Sequence, residues 1–192
     1  MLHLQIITAS TRPTRKGPSV AAWFLEQARS HGGFEVEPID LAEVDLPMFN
    51  EANHPRLRKY QHDHTQRWSA TIERADAFVF VTPEYNFGPP PSLLNALDYL
   101  VQEWAYKPVG FVSYGGVSAG LRSVQMTKQV VTALKMMPMA EAVAIPFFAQ
   151  HLKDGTFAPG EVQEQAATVM LDELLRWATA LKPLRTPASQ SR

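Results

Sequence analysis

The stretch that most restricts the fold runs from Val81 to Leu100, starting at the end of an apolar run. Ala77-Phe78-Val79-Phe80-Val81 is unbroken apolar sequence, the mark of a strand covered on both faces. The strand, expected over Asp76–Thr82, breaks at Thr82-Pro83 into a loop carrying Glu84, Tyr85, Asn86 and Phe87, then Gly88 and the run Pro89-Pro90-Pro91. Each proline ring fixes φ, so the loop is stiff where it enters the next element. From Ser92 the period becomes helical, with Leu93, Leu97 and Leu100 on one face, and the helix is expected to reach about Trp104. In an open α/β sheet, loops of this kind at the carboxyl ends of strands hold ligands. A solvated connector needs no such rigidity; a binding loop gains affinity from it.

The rest of the chain repeats the same alternation. Leu2–Thr8 reads as a first buried strand, Val20–His31 as a helix closed by Gly32-Gly33, and Phe34–Leu41 as a second strand. After an unpatterned segment, Phe49–Lys59, a polar helix runs to about Arg74. Val109–Tyr114 reads as a fourth strand, Leu121 to about Lys135 as a helix, Ala142–Ile145 as a short fifth strand and Glu161–Leu181 as a closing helix. This rhythm predicts an α/β three-layer sandwich: a five-stranded parallel sheet of order 2-1-3-4-5, with helices on both faces. One domain over residues 1–182 is expected, with a frayed tail over 183–192.

In that strand order the loops after strands 1, 3 and 4 converge. The first, Ala9–Ser19, ends at a helix N-terminus, where free N–H groups and the helix dipole favour an anion. Ser10, Thr11, Thr14 and Ser19 offer hydroxyls; Arg12, Arg15 and Lys16 offer charge. The alternative is an ordinary basic loop with Ser19 as helix cap. Neither a Walker A sequence nor GxGxxG is present. The loop after strand 4 carries Ser113, Tyr114, Gly115, Gly116 and Ser118; its glycines let backbone approach a flat ligand, and Ser118 is placed to cap the following helix.

These segments share a family resemblance. Thr82–Leu100 resembles the pattern TPEYN-x-G-x-P-x-x-L-K-N-A-I-D-W-L of the NAD(P)H-dependent FMN reductases, with Leu94 where that family often has lysine. Ser10, Thr11, Arg12, Pro13, Arg15, Gly17, Val20, Ala21 and Trp23 match its phosphate loop, with Ala9 in place of a glycine. Ser113–Gln125 resembles its glycine loop, with Ala119 replacing one glycine, and Asp154-Gly155-Thr156-Phe157 resembles its D-G-x-F hairpin. The resemblance implies a flavodoxin-like fold, FMN as cofactor and NADPH or NADH as donor. It further implies a small electron acceptor: a quinone, azo compound, metal oxyanion or free flavin. It places Ser10, Arg12, Arg15, Gly17, Pro18 and Ser19 at the FMN phosphate. Pro83, Glu84, Tyr85, Asn86 and Phe87 would lie along the ribityl chain and ring, and Ser113, Tyr114, Gly115, Gly116 and Ser118 at the ring edge. No side chain is expected to be covalently catalytic. A homodimer or homotetramer is implied, and Trp104, Tyr106, Phe147 and Phe148 are read as partly exposed at the contact.

Composition narrows the alternatives. There is no cysteine, so thiolate, disulfide and iron–sulfur chemistry are excluded and an organic cofactor must carry any electrons. The net charge of −1 provides no field for nucleic acid or an anionic membrane. It also argues against the rival reading, an electron-carrier flavodoxin with an acidic docking face; a flavin-binding redox sensor is the third reading. No secretory leader or membrane-length apolar run is visible, so a cytoplasmic location is the default expectation. His54, His62 and His64 lack the ligand spacing of a metal site and are read as solvated, as are Arg56, Arg58, Lys59 and Arg67. Arg12→Ala is expected to deplete FMN from the purified protein more than Arg67→Ala; equal flavin absorbance per polypeptide in the two variants would refute the phosphate-loop assignment.

Overall fold

The computed structural model describes residues 1–185. Five parallel strands, β1 (Leu2–Thr8), β2 (Phe34–Asp40), β3 (Ala77–Pro83), β4 (Pro108–Tyr114) and β5 (Met137–Ile145), form one sheet of order β2-β1-β3-β4-β5. The crossovers are α1 (Gly17–His31), the short α2 (Leu41–Val44) with α3 (Asp63–Glu73), α4 (Pro91–Asp98) and α5 (Leu121–Ala133); α6 (Glu161–Leu181) closes the chain. The expected order and layering are therefore found.

Every residue of β3 and of β4 is buried. Their alternating side chains feed two cores. On one face Ala77, Val79, Val81 and Val112 meet α1 and α6 through Phe24, Met170 and Leu174. On the other, Phe78, Phe80 and Phe111 meet Trp68, Leu97, Tyr99 and Trp104. The first core is close-packed: a Cβ on Gly110 would lie 2.8 Å from Met170 Sδ. The aromatic face is thick, and edge-to-face contacts such as Phe78–Trp104 at 5.0 Å fill it.

Several boundaries differ from the sequence expectation. The fifth strand begins at Met137 rather than Ala142, because Pro138 argues against a strand in sequence yet is tolerated on this edge of the sheet. The helix after the polar loop stops at Asp98, and a separate 3₁₀ turn, Gln102–Trp104, follows. That turn drives Trp104 into the aromatic core with its indole N–H donated to the Leu97 carbonyl at 3.2 Å. Trp104 is thus a core residue and not a surface contact. The hairpin pairs β6 (Leu152–Lys153) with β7 (Thr156–Phe157), as its sequence led us to expect.

The end of the sheet opposite the strand C-termini is fastened by one buried carboxylate. Asp76 accepts from the His3 N–H at 2.9 Å and pairs with Arg185 at 2.9 Å and Lys182 at 3.4 Å. Lys182–Arg185 accordingly form a 3₁₀ turn, and the remainder of the expected frayed tail lies outside the described residues. Burial alone would raise the Asp76 pKa; the His3 amide and the two cations outweigh it and hold it below the usual carboxylate value. Asp76 therefore stabilises fully above the unfolded value of 3.8, and that contribution is lost as pH falls through the lower folded value. Asp76→Asn should cost roughly 1–3 kcal/mol in urea unfolding at pH 7, and the gap from wild type should hold down to the unfolded value of 3.8 and narrow only below it.

Candidate active site

The loops that follow β1, β3 and β4 meet at the C-terminal edge of the sheet. The first loop is held from two sides. Arg15 grips Asp40, at the end of β2, with both guanidinium nitrogens at 2.7 and 2.8 Å, and also donates to the Ser10 carbonyl at 2.8 Å. Arg15, expected to meet an anion, thus shapes the loop instead. Gly17 begins α1 in close contact beneath it: a Cβ there would collide with Ser10 Oγ and lie 2.8 Å from the Tyr114 hydroxyl. Ser10 is itself buried, 3.4 Å from that hydroxyl.

Ser19 does not cap α1. It lies inside the first turn, and its hydroxyl accepts from the Phe157 N–H of the hairpin at 2.6 Å. Lys16 is the cap residue and provides no side-chain hydrogen bond, Pro18 follows within the first turn, and that turn has no acidic residue. Arg12 and Lys16 are exposed and join no ion pair among the described residues. A fifteen-residue helix thus presents an uncapped positive end beside two free cations, which suits a phosphate group.

The second loop is a tight turn latched to the third. Tyr85 and Gly88 exchange reciprocal N–H···O bonds of 2.9 Å, with Asn86 and Phe87 between them at φ 49° and 71°. Glu84 reaches across to the glycine loop. It accepts from Ser118 Oγ at 2.9 Å, from the Arg122 N–H at 3.2 Å and from Arg122 Nε at 2.6 Å. Ser118 is therefore a partner of Glu84, and the cap position of α5 falls to Gly120. Burial works against the ionised Glu84, but the hydrogen bonds from Arg122 and Ser118 prevail and lower its pKa. The Arg122 guanidinium lies 3.8 Å from the centre of the Phe87 ring.

In the third loop the two halves behave differently. Ser113 and Tyr114 are buried, and burial pushes the Tyr114 hydroxyl up to about 12 despite its bond to Ser10, so it stays neutral. Ser113 Oγ is buried without a partner. Gly116 has open space where a side chain would stand, and Ala119 adopts φ 54°, a conformation in which glycine would be relaxed. The chemistry of the set fits FMN: an anion end at α1, an open glycine backbone for a flat ring, and a rigid polar turn between them.

A fourth wall was not read as part of the site. Phe147 and Phe148 donate backbone N–H groups to the Gly116 and Gly115 carbonyls at 2.9 Å each, and Phe148 packs on Tyr114 at 4.9 Å. Their only sequence signal was aromatic residues in a loop beside a short strand. Among the described residues no group of three or more His, Asp or Glu is placed to hold a metal ion. His62 and His64 stack at 5.0 Å, and His64 hydrogen-bonds to Asn50.

A parallel sheet of this order with a phosphate-suited first loop defines a flavodoxin-like protein. The model of the NADPH-dependent FMN reductases matches residues 2–150, and the chain belongs to that family. It is 40% identical over 145 residues to an NAD(P)H-dependent FMN reductase of Schizosaccharomyces pombe, covering 73% of this chain and 72% of the relative. It is 29% identical over 195 residues to one of Nectria sp, covering 96% and 97%. Among solved structures, the flavoenzyme NAD(P)H:(acceptor) oxidoreductase FerB of Paracoccus denitrificans shares the fold, with a TM-score of 0.73 at 20% identity over 94% of this chain and 98% of that one.

Glu84→Gln should loosen both loops together. Glu84 is buried but Arg122 is half exposed, so removing the charge should cost only about 1–2 kcal/mol, and amides 115–119 should exchange faster with deuterium. Unchanged exchange there would show that the latch does not hold the glycine loop.

Proposed function

We propose that this chain is an FMN-dependent NAD(P)H oxidoreductase that reduces a small acceptor. The observation behind this reading is the uncapped start of α1 beside free Arg12 and Lys16, with Gly17 close against Tyr114, the residue that precedes Gly115–Gly116. Family membership supports it. When bound, FMN supplies the redox chemistry, taking a hydride from the nicotinamide and delivering electrons to the acceptor. In total, NAD(P)H and one proton from water would convert a quinone to its hydroquinone.

The protein's own residues work by position. The first-turn amides of α1, with Arg12 and Lys16, hold the phosphate. Pro83–Asn86 line the ribityl chain and ring side, a turn that Glu84 keeps fixed. Gly116, without a side chain, lets backbone N–H groups approach the ring edge, where fixed dipoles stabilise developing negative charge. Arg15 and Tyr114 fasten the loops to one another, and Gly17 lets the start of α1 sit close against Ser10 and Tyr114. Since Tyr114 is neutral and Glu84 is committed to Arg122, no side chain here is poised as a general acid, and the protons come from solvent.

The acceptor is assigned to the planar organic class, quinones first, because the open edge imposes no charge or metal requirement. A cytoplasmic enzyme is proposed, and a homodimer or homotetramer on family grounds, with exposed Tyr106 and Phe147 available to a contact. No helix among the described residues is long and apolar enough to cross a membrane. The direct check is the visible spectrum of the purified protein incubated with FMN, before and after NADPH under argon. Flavin bands that bleach with NADPH are expected. Bands that NADPH leaves untouched would point to a carrier or sensor, and a protein that retains no FMN would overturn the site.

A further inference from the structure

Phe87 occupies a position that the backbone makes unfavourable for it. With φ positive at both Asn86 and Phe87 and reciprocal bonds between Tyr85 and Gly88, the turn is a type I′ hairpin turn. Asparagine suits the first central position, but the second is normally glycine. A bulky residue at φ 71° is a true outlier, and strain of this kind collects at functional sites. The chain places its glycine one residue later, at Gly88, and keeps an aromatic where glycine would relax the turn.

The strain does not serve packing. Phe87 is 61% exposed, and Arg122, its neighbour, already has its charge met by Glu84. The Arg122 guanidinium lies against one face of the ring, centred at 3.8 Å, and fixes its orientation through the Glu84 latch. The ring otherwise remains 61% exposed, on the loop that Glu84 ties to Ser118 and Arg122 beside the glycine turn. A flat, immobilised, half-covered aromatic ring is what stacking on a planar ligand requires.

We propose that Phe87 is a stacking platform for a planar aromatic acceptor of the quinone class, oriented by Arg122 and Glu84, and that it sets acceptor preference. This rests on the reductase reading above. The platform binds the acceptor's ring and takes no part in electron or proton transfer.

The test compares Phe87→Gly and Phe87→Trp with wild type, using NADPH with either 1,4-naphthoquinone or ferricyanide, an oxidant with no ring to stack. Flavin content, melting temperature and sedimentation velocity are recorded beside the kinetics. Phe87→Gly should lower kcat/KM for naphthoquinone relative to ferricyanide by about fivefold to tenfold, mainly through KM. Its melting temperature should stay within about 2 °C of wild type or rise, because glycine relaxes the turn. Phe87→Trp should restore the ratio.

An unchanged ratio would overturn the platform. Loss of flavin from Phe87→Gly would make Phe87 a cofactor contact instead, a lowered melting temperature with both oxidants equally affected would make it a brace, and a changed sedimentation coefficient would make it a subunit contact. Failure of the reductase reading would appear differently, as unsubstituted protein that reduces neither oxidant with NADPH, and it would take the platform with it.

Discussion

A strand covered on both faces can place polar groups only at its ends, and this constraint organises the molecule. β3 and β4 are buried along their whole length, so each needs a helical layer above and below. The right-handed crossovers that supply those layers bring the chain back over the same sheet edge each time. Every polar loop that leaves a central strand is thereby delivered to one crevice. The site follows from the burial of the strands, and the loops contribute its chemistry.

Most of this was legible because continuous apolar runs and helical periods are local signals. Phe78–Val81 and the period from Leu93 to Leu97 announce strand and helix from their own residues. What was not legible depends on partners far along the chain. Ser19 and Ser118 stand where caps are common, yet one bonds to Phe157 and the other to Glu84. Arg15 looks like a phosphate ligand until Asp40, in a strand 25 residues away, takes up its guanidinium. Trp104 was misread for a related reason: Gln102 and Glu103 precede it, and only the 3₁₀ turn before β4 turns the indole inward. The start of β5 was hidden because Pro138 and Glu141 interrupt its apolar sequence, and an edge strand tolerates a proline that a central one would not.

The candidate site is held by polar fasteners rather than by apolar packing. Arg15–Asp40 fixes the first loop, Glu84–Arg122 joins the second to the third, and the Phe147 and Phe148 amides tie the hairpin segment to the glycine loop. Such contacts are directional, so they set geometry where an apolar contact would allow sliding. Singly their strength is modest where a partner such as Arg122 is half exposed. Their effect lies in being linked: each loop is fastened to a neighbour as well as to its own strand.

The carboxylate of Asp76 has a topological meaning beyond stability. It accepts from the amide of residue 3 and pairs with the side chain of residue 185, so the two ends of the described chain converge on one buried group. Between residues 3 and 185 the described chain thus comes close to a closed ring, with its seam on the far side of the sheet from the crevice. Circular permutation across that seam, with new termini opened in the irregular segment between α2 and α3, would preserve the strand order and every loop of the site.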